Sequence, residues 1–464
     1  MVLGIWVEQA GHLAAKNHIH SHVVVFQTKA VLERRSFWRT IHESIGMVDM
    51  NTIRKVAVHI LLISIYGFTH LVVLLGSIIP RRPWKPTGRI LVIGTFHNPG
   101  WYLSHVTPLA HSGVKEIILV VDEPQLPLER VRFVCPPKWI SRLLSRACAK
   151  AIWMIIAGLR YRPDLYMGYH LAPNACSALM AGNLLGRPSC YQMTGGPVEL
   201  IGSGFNIIAS VGKTLEQPSK VIEGLAIGVI RKFDLVVVRG NKAKDFLAAH
   251  NVKGSATIIR GSVNSYQQLP QNDRAIHLVF VGRLSPIKQV DQFIAIVNAI
   301  ARIMPNIRAV IVGDGPLRGD LQRYAEGLGV NENVEFIGQR EDVEVIIVNS
   351  RVFILTSKSE GLSIAMAEAM RAGVVPVVAD VGELSDLVAD GVNGYLIEPD
   401  NISQYSNRIV SLLQDREMWT HLSQKAVETS KEHCDIEVVS EKWRRCLRDV
   451  VSKASGCRQE DVWN

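Results

Sequence analysis

The feature that most constrains the fold of this chain is an alternation, from Gly88 to Ile397, of short aliphatic runs with segments of helical periodicity. Runs such as Glu116–Asp122 and Ile276–Val281 are largely apolar at successive positions, which is typical of strands buried on both faces. Such strands are usually parallel neighbours joined by helices. The sequence therefore predicts an α/β fold made of parallel sheets.

A polar segment that contains Pro, Asn264–Arg274, divides this alternation into two series and is typical of a linker between domains. We expect one Rossmann-like domain at 88–263 and a second at 275–435, followed by a helix with one apolar face at 436–453. In sheets of this kind ligands bind at the carboxyl ends of the strands. Two such domains in tandem therefore predict a binding cleft between them.

A run of 24 residues without a charged side chain, Val56–Ile79, precedes the first series. As a helix it would be about 36 Å long, enough to cross the core of a bilayer. Four of its polar side chains share one helical face: His59, Tyr66, His70 and Ser77. This stripe favours a helix that lies in the membrane interface or packs on a domain. We predict a membrane-associated helix at 56–80, with spanning, interfacial and buried soluble placements all open.

The formal net charge of +9 over 464 residues is unevenly distributed. Residues 1–250 hold 28 basic and 14 acidic side chains, a net charge of +14, and residues 251–464 hold 23 and 28, a net charge of −5. Such asymmetry suggests an anionic partner for the first half, membrane or nucleic acid, although it also arises by drift. The basic residues are interleaved with long apolar runs, which disfavours nucleic acid.

A second candidate for a membrane surface is Trp139–Leu159, which is predicted to be one amphipathic helix. Arg142, Arg146 and Lys150 recur every four residues and would form a basic edge beside the apolar positions. The alternative is a helix packed on its domain with a solvated edge.

The first 55 residues lack clear periodicity and predict an N-terminal extension of uncertain order. No cleavable signal is indicated, because the first long apolar run starts near residue 56. His18, His20 and His22 alternate there without a carboxylate or Cys at ligand spacing, so no metal site is predicted. The seven Cys are scattered without a Cys-x-x-Cys pair, which excludes a zinc ribbon or disulfide framework and fits a reducing compartment.

One turn of the second series carries residues suited to a phosphorylated ligand. In Ser359–Met370 a polar turn precedes a helix, whose unpaired N–H groups and dipole favour an anion, and Gly361 permits its close approach. Glu360 remains in the turn. Glu368 lies inside the helix, where its carboxylate can accept hydrogen bonds from hydroxyls.

Two further turns add to this pattern. In Phe280–Asp291 a strand ends in a turn that bears Arg283 and Lys288, two cations that suit a diphosphate. A tight turn between a strand and a helix contains Gly313 and Gly315. Each turn by itself is a weak signal, but all three in this order within one domain are a specific one.

At these residues the sequence resembles the retaining glycosyltransferases of family 4, which have the GT-B fold of two Rossmann-like domains facing a cleft. The family's Glu-x7-Glu motif is matched by Glu360 and Glu368, and its Gly-x-Gly-Pro turn by Gly313 and Gly315. Its Gly-Arg-Leu…Lys-Gly-x-Asp motif, with Gln289 where Gly is usual, is matched by Gly282, Arg283, Leu284, Lys288 and Asp291. The resemblance is specific over 275–400, loose over 88–260 and absent over 1–80.

The resemblance implies a nucleotide-diphosphate sugar as donor substrate, no obligatory metal or other cofactor, and retention of the anomeric configuration. The catalytic residues would be Arg283 and Lys288, which would hold the diphosphate, and Glu360, which would lie against the donor sugar. Glu368 would bind the ribose hydroxyls. The other donor-binding residues would be Gly361, Leu362, Ser363, Gly282, Gly313 and Gly315. The helix at 436–453 would return to the first domain.

One departure concerns the acceptor side of the cleft. Many members of the family carry a His after the strand that corresponds to Cys190–Thr194, and Gly195 takes its place here. His170, at the end of the preceding strand, and His97 are alternative sources of an imidazole. A structural or acceptor-loop role is the simpler interpretation of each.

These observations predict a retaining, metal-independent glycosyltransferase of the hexosyltransferase type, acting on a glycan or lipid-linked acceptor at the cytoplasmic face of the cell membrane. The expected partners are the donor, the acceptor and an anionic membrane surface, with no nucleic acid. The alternatives are a non-catalytic nucleotide-sugar or glycan-binding module of the same fold and a GT-B sugar-nucleotide epimerase. The intact set of Glu360, Glu368, Arg283 and Lys288 disfavours the non-catalytic module.

Overall fold

The computed structural model describes residues 50–79, 83–96, 98–200, 219–252, 256–266, 269 and 273–463. The chain divides into two compact units, Met1–His59 and Ile60–Asn464. The described part of the first unit is the beginning of helix α1 (Met50–Ser77). Four histidines named above lie outside the described part of the chain: His18, His20, His22 and His97.

The first sheet of the second unit has seven parallel strands in the order β3-β2-β1-β4-β5-β6-β7. Its strands are β1 (Arg89–Ile93), β2 (Glu116–Val120), β3 (Val131–Val134), β4 (Leu165–Tyr169), β5 (Ser189–Gln192), β6 (Leu235–Val238) and β7 (Ala256–Ile258). The helices among them are α2 (Pro99–Ala110), α3 (Lys138–Leu144), α4 (Arg146–Tyr161), α5 (Cys176–Leu184), α6 (Lys220–Ile230) and α7 (Asn241–Ala249). Strand order reverses between β1 and β4, the kind of position where ligands of such sheets bind.

The second sheet has six parallel strands in the order β10-β9-β8-β11-β12-β13. Its strands are β8 (Ile276–Val281), β9 (Ala309–Val312), β10 (Val334–Gly338), β11 (Ser350–Leu355), β12 (Val375–Ala379) and β13 (Tyr395–Ile397). The helices that follow β8 are α8 (Val290–Ala301), α9 (Arg318–Gly327), α10 (Val343–Val348), α11 (Ile364–Arg371), α12 (Ile402–Gln414), α13 (Arg416–Cys434) and α14 (Ile436–Ser455). The predicted class, two Rossmann-like α/β domains with parallel sheets, is confirmed.

Each sheet has its own apolar core, as strands covered on both faces require. The second core joins the sheet residues to helices α8, α11, α12 and α13. The first core, on one face of the first sheet, includes residues of α2 together with Val439, Trp443 and Leu447 of α14. The last helix of the chain therefore packs on the first sheet.

The segment Trp139–Leu159 is not the single basic amphipathic helix that its spacing predicts. The chain breaks at Ser145, whose φ of 87° ends α3 before α4 begins. Lys150 lies in the interior, where its ammonium pairs with Asp122 at 2.9 Å and donates to the hydroxyl of Thr95 at 2.8 Å. The basic edge is therefore reduced to the exposed Arg142 and Arg146 on two different helices.

Helix α1 contains all but the last two residues of the predicted apolar run, and Val56–Ser77 is long and apolar enough to cross a membrane. From Ile60 onward, one face packs on the first domain, where Leu62, Tyr66 and Thr69 have no exposed surface. His70 Nε2 lies 3.2 Å from the carbonyl oxygen of Leu225 in α6. A Cβ at Gly76 would overlap the side chain of Asn183 in α5. The opposite face is exposed and apolar.

A buried carboxylate ties three distant segments of the first domain together. Asp164, which has no exposed surface, accepts hydrogen bonds from the backbone N–H groups of Thr87 at 2.9 Å and Gly88 at 2.7 Å. The indole N–H groups of Trp84 and Trp463 donate to the same carboxylate, at 3.2 and 2.9 Å. Several charge-assisted bonds offset the cost of burying this charge.

Replacing this carboxylate tests the anchor. Asp164→Ala leaves two backbone and two indole N–H groups without their acceptor, so we expect the free energy of unfolding to fall by about 3–5 kcal/mol. Urea unfolding followed by circular dichroism measures the loss. Asp320→Ala, which removes an exposed carboxylate paired with Arg323 on α9, is the matched control and should change stability by less than about 1 kcal/mol. Equal effects of the two variants would contradict the assignment.

Candidate functional site

The carboxyl ends of the two sheets meet at a shared boundary. A Cβ at Gly361, after β11, would overlap the carbonyl oxygen of Thr194, which follows β5. Glu383, after β12, accepts a hydrogen bond from the backbone N–H of Ala243 in α7 at 2.8 Å. Gly261, after β7, lies against the side chain of Ile364 at the start of α11. The residues singled out in the second domain therefore face strand ends of the first.

The turn after β8 presents a cation at this edge. The Arg283 side chain is exposed and makes no hydrogen bond or ion pair with any residue that the structure describes. A Cβ at Gly313 would overlap the carbonyl oxygen of Gly282, and a Cβ at Gly315 would crowd Leu284. The two glycines of the predicted donor site therefore let the β9 turn support the loop that carries Arg283.

Lys288 and Glu360 come together across two turns, as their predicted common site requires. The ammonium of Lys288 donates to Oε1 of Glu360 at 2.5 Å, with 22% and 9% of the two side chains exposed. The hydroxyl of Ser357 donates to the same oxygen at 2.5 Å. Since the pair is only partly buried, an arriving anion can attract the ammonium away from the carboxylate.

Gln289, where the family usually has Gly, adopts a left-handed conformation with a φ of 44°. Glycine adopts such a conformation without a steric cost, which explains the family preference. Here the side-chain N–H of Gln289 donates to Asp400 at 3.0 Å, and the backbone carbonyl oxygen of Gln289 accepts from the hydroxyl of Thr356 at 2.8 Å. These bonds hold the turn before α8 despite the unfavourable backbone.

The start of α11 supplies the predicted anion-binding geometry. Ser363 is the N-cap, and its hydroxyl accepts a hydrogen bond from the backbone N–H of Met366 at 3.2 Å. Glu360, Gly361 and Leu362 form the turn that leads into this cap. A helix N-terminus has N–H groups without internal partners and a positive dipole end, which together favour a phosphate.

The carboxyl group of Glu368 is less accessible to solvent than a residue that binds hydroxyl groups at the surface would be. Burial, followed by the nearby Glu344 carboxylate, raises the pKa of Glu368 from its ordinary value to about 7. The hydroxyl of Tyr266 hydrogen-bonds to Glu368, which acts in the opposite direction. A carboxyl group with this pKa is close to half protonated at neutral pH and can both donate to and accept from a hydroxyl.

The first domain contributes a buried cluster that the motifs did not identify. Glu199, of which 1% is exposed, accepts from the hydroxyl of Tyr191 at 2.5 Å and from the backbone N–H of Gly195 at 2.5 Å. Nδ1 of His170 lies 3.2 Å from Glu199 Oε1 and 3.0 Å from the hydroxyl of Thr194. Burial raises the pKa of Glu199, but its bonds to His170, Tyr191 and Gly195 outweigh it, so the pKa is lowered.

Of the two imidazoles considered in place of Gly195, His170 therefore lies in this cluster, next to Thr194. Its partner Glu199 belongs to no motif. The sequence gives one indication that Glu199 has a special role: it is one of only two acidic residues between 151 and 200, the other being Asp164.

Comparison with known proteins identifies the second domain. Residues 264–429 match the family model for glycosyl transferases group 1, and this segment contains all the donor-side residues described above. It is a group 1 glycosyltransferase domain. The resemblance drawn from the motifs is thereby confirmed at the level of this group.

Sequence relatives of this glycosyltransferase domain are distant. The chain is 21% identical over 295 residues to N-acetyl-alpha-D-glucosaminyl L-malate synthase of Bacillus anthracis, covering 62% of this chain and 75% of that protein. It is 32% identical over 139 residues to UDP-Gal:alpha-D-GlcNAc-diphosphoundecaprenol alpha-1,3-galactosyltransferase of Escherichia coli. That match covers 29% of this chain and 36% of the E. coli protein, so the chain spans only about a third of this relative.

Among solved structures, the crystal structure of Anabaena HepE in complex with UDP-glucose is similar to this chain, with a TM-score of 0.63 and 18% sequence identity. The similarity covers 78% of this chain and 99% of HepE. The GT-B fold expected from the family resemblance is therefore confirmed.

The raised pKa of Glu368 predicts a pH-dependent cost in stability. Its folded pKa of about 7 exceeds its ordinary 4.5, so the folded state binds more protons between these values and stability falls as pH rises through that window. We expect Glu368→Gln, which cannot ionise, to gain roughly 2–3 kcal/mol relative to the parent between pH 4.5 and 8. Urea unfolding at several pH values measures the difference.

The control for this prediction is Glu326→Gln, which replaces an exposed carboxylate of α9. A parent and a Glu368→Gln variant whose stabilities stay parallel from pH 4.5 to 8 would show that Glu368 is not a buried, proton-binding carboxyl group.

Proposed function

We propose that this protein is a retaining, metal-independent glycosyltransferase of the hexosyltransferase type, which uses a nucleotide-diphosphate sugar as donor. The observation that carries the proposal is the unpaired Arg283 guanidinium, close in the fold to the Lys288–Glu360 pair and to the N-terminus of α11. Three sources of positive potential at one strand edge suit a diphosphate. The UDP-glucose complex of HepE, which shares the fold, supports a nucleotide-sugar donor.

In this proposal the positive groups stabilise the leaving nucleoside diphosphate. The bond between the anomeric carbon and the phosphate oxygen breaks while the acceptor oxygen bonds to the same face of that carbon. The acceptor proton passes to the departing phosphate oxygen. Arg283, Lys288 and the N-terminal N–H groups of α11 balance the charge that develops, so no metal is required. Glu360, released from Lys288, would lie against the donor sugar, and Glu368 would bind the ribose.

The acceptor is proposed to be a glycan or a lipid-linked sugar. The E. coli relative is named for an acceptor on diphosphoundecaprenol, which supports this class. The alternatives, a non-catalytic binding module and a sugar-nucleotide epimerase of the same fold, share the donor site and differ in product. Release of nucleoside diphosphate that depends on an acceptor separates the transferase from both.

Donor use is tested with variants of the unpaired cation. Thermal-shift screening against UDP-, GDP- and ADP-sugars should give one nucleotide that stabilises the protein, because a ligand that binds the folded state raises its stability. Arg283→Ala should abolish most of that shift and lower kcat/KM for nucleotide release roughly 100-fold. Arg302→Ala, an exposed cation at the end of α8, is the control. A parent that binds a nucleotide sugar but never releases the nucleotide would favour the binding module.

We further propose that the first domain binds the cytoplasmic face of the membrane through a surface formed by α1, α3 and α4. Exposed apolar side chains of α1 include Ile60, Leu61, Ile63, Phe68, Leu71, Leu74 and Leu75, and Ile78 and Ile79 directly follow the helix. Those of α3 and α4 are Trp139, Leu143, Leu144, Ile152, Ile155, Ile156 and Leu159. Both α1 and α4 adjoin α5, so these residues belong to one side of the first sheet.

The packing of α1 favours a helix that lies in the interface over one that spans the bilayer. A spanning helix would be surrounded by lipid, whereas Leu62, Tyr66 and Thr69 are fully covered by the domain. The exposed Arg142 and Arg146 and the net charge of +14 on residues 1–250 favour anionic lipid. The seven free Cys are compatible with the cytoplasmic side, a reducing compartment.

Vesicle flotation tests the membrane surface. A double variant, Leu71→Asp with Leu74→Asp, should lose binding to vesicles of phosphatidylethanolamine and phosphatidylglycerol by at least about 100-fold, because two large apolar side chains no longer enter the lipid. The matched control places Asp at Ile303 and Val345, which are equally exposed in the second domain. Flotation of the parent at low salt, and its loss in the first double variant only, is the expected result. Unchanged flotation of both would exclude this surface.

A further inference from the structure

The cluster around Glu199 fixes the position of one imidazole at the domain boundary. His170 follows the carboxyl end of β4 and adopts a φ of 61°, a left-handed conformation that is unfavourable for a residue with a side chain. Strained backbone of this kind persists where the surroundings hold it, often at a ligand-binding site. Here Glu199 and Thr194 hold the ring through Nδ1, at 3.2 and 3.0 Å.

The same contacts determine which ring nitrogen of His170 can accept a hydrogen bond from a ligand. As a carboxylate, Glu199 accepts hydrogen bonds from Tyr191, Gly195 and Thr194 and cannot donate one. The contact between Glu199 and Nδ1 of His170 therefore requires the proton to be on Nδ1. The lone pair of the neutral ring is then on Nε2. Among the described residues, Nε2 of His170 has no hydrogen-bond partner, and 21% of the side chain is exposed.

This imidazole is adjacent to the donor-side turn. Thr194, which contacts the ring, places its own carbonyl oxygen against Gly361, next to Glu360. Trp101 lies nearly parallel to the imidazole, with ring centroids 6.0 Å apart and an angle of 14° between the planes. A flat aromatic side chain beside a hydrogen-bond acceptor is an arrangement that suits a sugar.

We infer that Nε2 of His170 accepts a hydrogen bond from a sugar hydroxyl at the domain boundary, and that Glu199 is the positioning residue that orients the ring. The inference rests on the proposed transferase function. It assigns to His170, oriented by Glu199, the role of an imidazole that Gly195 does not provide. The hydroxyl belongs either to the donor sugar or to the acceptor. Both present the same O–H group to the ring.

Two substitutions at one position separate binding by Nε2 from a structural role. His170→Gln keeps a polar group near the position of Nε2, whereas His170→Asn keeps one near Nδ1 and can still bond to Glu199. We expect His170→Asn to lower kcat about 10- to 100-fold and His170→Gln to retain activity within about tenfold, because only Gln replaces the distal acceptor. A purely structural role predicts the reverse order. His111→Asn, at the exposed end of α2, is the control.

The binding of UDP and UDP-glucose, measured by calorimetry, identifies the source of the hydroxyl. If it belongs to the donor sugar, His170→Asn weakens UDP-glucose about tenfold and leaves UDP unchanged. If it belongs to the acceptor, both affinities stay constant and only turnover with an acceptor such as diphosphoundecaprenol-linked N-acetylglucosamine falls.

Two results would overturn the inference. One is a His170→Asn variant as active as the parent. The other is loss of UDP affinity in both variants at position 170, which would indicate a general disturbance of the boundary. Glu199→Gln should lower kcat with UDP affinity retained. A parent that neither binds nor turns over any nucleotide sugar would instead contradict the proposed function, and the inference with it.

Discussion

The contact on which the candidate site depends is the passage of the Glu360–Gly361 backbone between two other segments. A Cβ at Gly382 would overlap the carbonyl oxygen of Glu360, and a Cβ at Gly361 would overlap that of Thr194. Gly382 also has a φ of 54°, a conformation that favours glycine. The absence of side chains at these two positions lets one turn contact its own domain and the other domain together. Lys288 donates a hydrogen bond to Glu360 on the donor side of this turn. The His170 cluster lies on the other side of the turn, which it contacts through Thr194.

A second boundary contact is electrostatic. Glu383 and Asp386 of the second domain accept hydrogen bonds from the first N–H groups of α7, those of Asn241, Lys242 and Ala243. These two carboxylates of the second domain cap the N-terminus of α7 in the first domain, at the end of the helix where its dipole favours negative charge. Burial raises the pKa of Glu383 even though the N–H bonds act in the other direction. The boundary is therefore held in part by carboxylates of the second domain that cap a helix of the first.

The sequence was sufficient for the fold because parallel strands buried on both faces leave a strong periodic signal. It also located the turns that bring Lys288 and Glu360 together, because turn chemistry is local. It was insufficient where a residue's role depends on distant partners. Lys150 has helical spacing with Arg146, yet its partner Asp122 comes from the segment after β2, and Ser145 ends the preceding helix. Glu199 lies four residues from Gly195, but its function as an acceptor depends on Tyr191 in β5 and on His170 directly after β4. No periodicity or motif encodes such contacts.

The two proposed surfaces of the first domain are connected through α1. Burial raises the pKa of Tyr66 on the buried face of α1, and the nearby Cys176 and Glu199 raise it further. Ten residues later, Gly76 contacts Asn183 at the far end of α5. Because α5 follows the carboxyl end of β4, the part of α1 between Tyr66 and Gly76 runs from the boundary edge of the sheet toward the opposite edge. A bilayer bound to the exposed face of α1 would therefore pass beside the His170 cluster, so that a lipid-linked acceptor could reach the boundary without leaving the membrane.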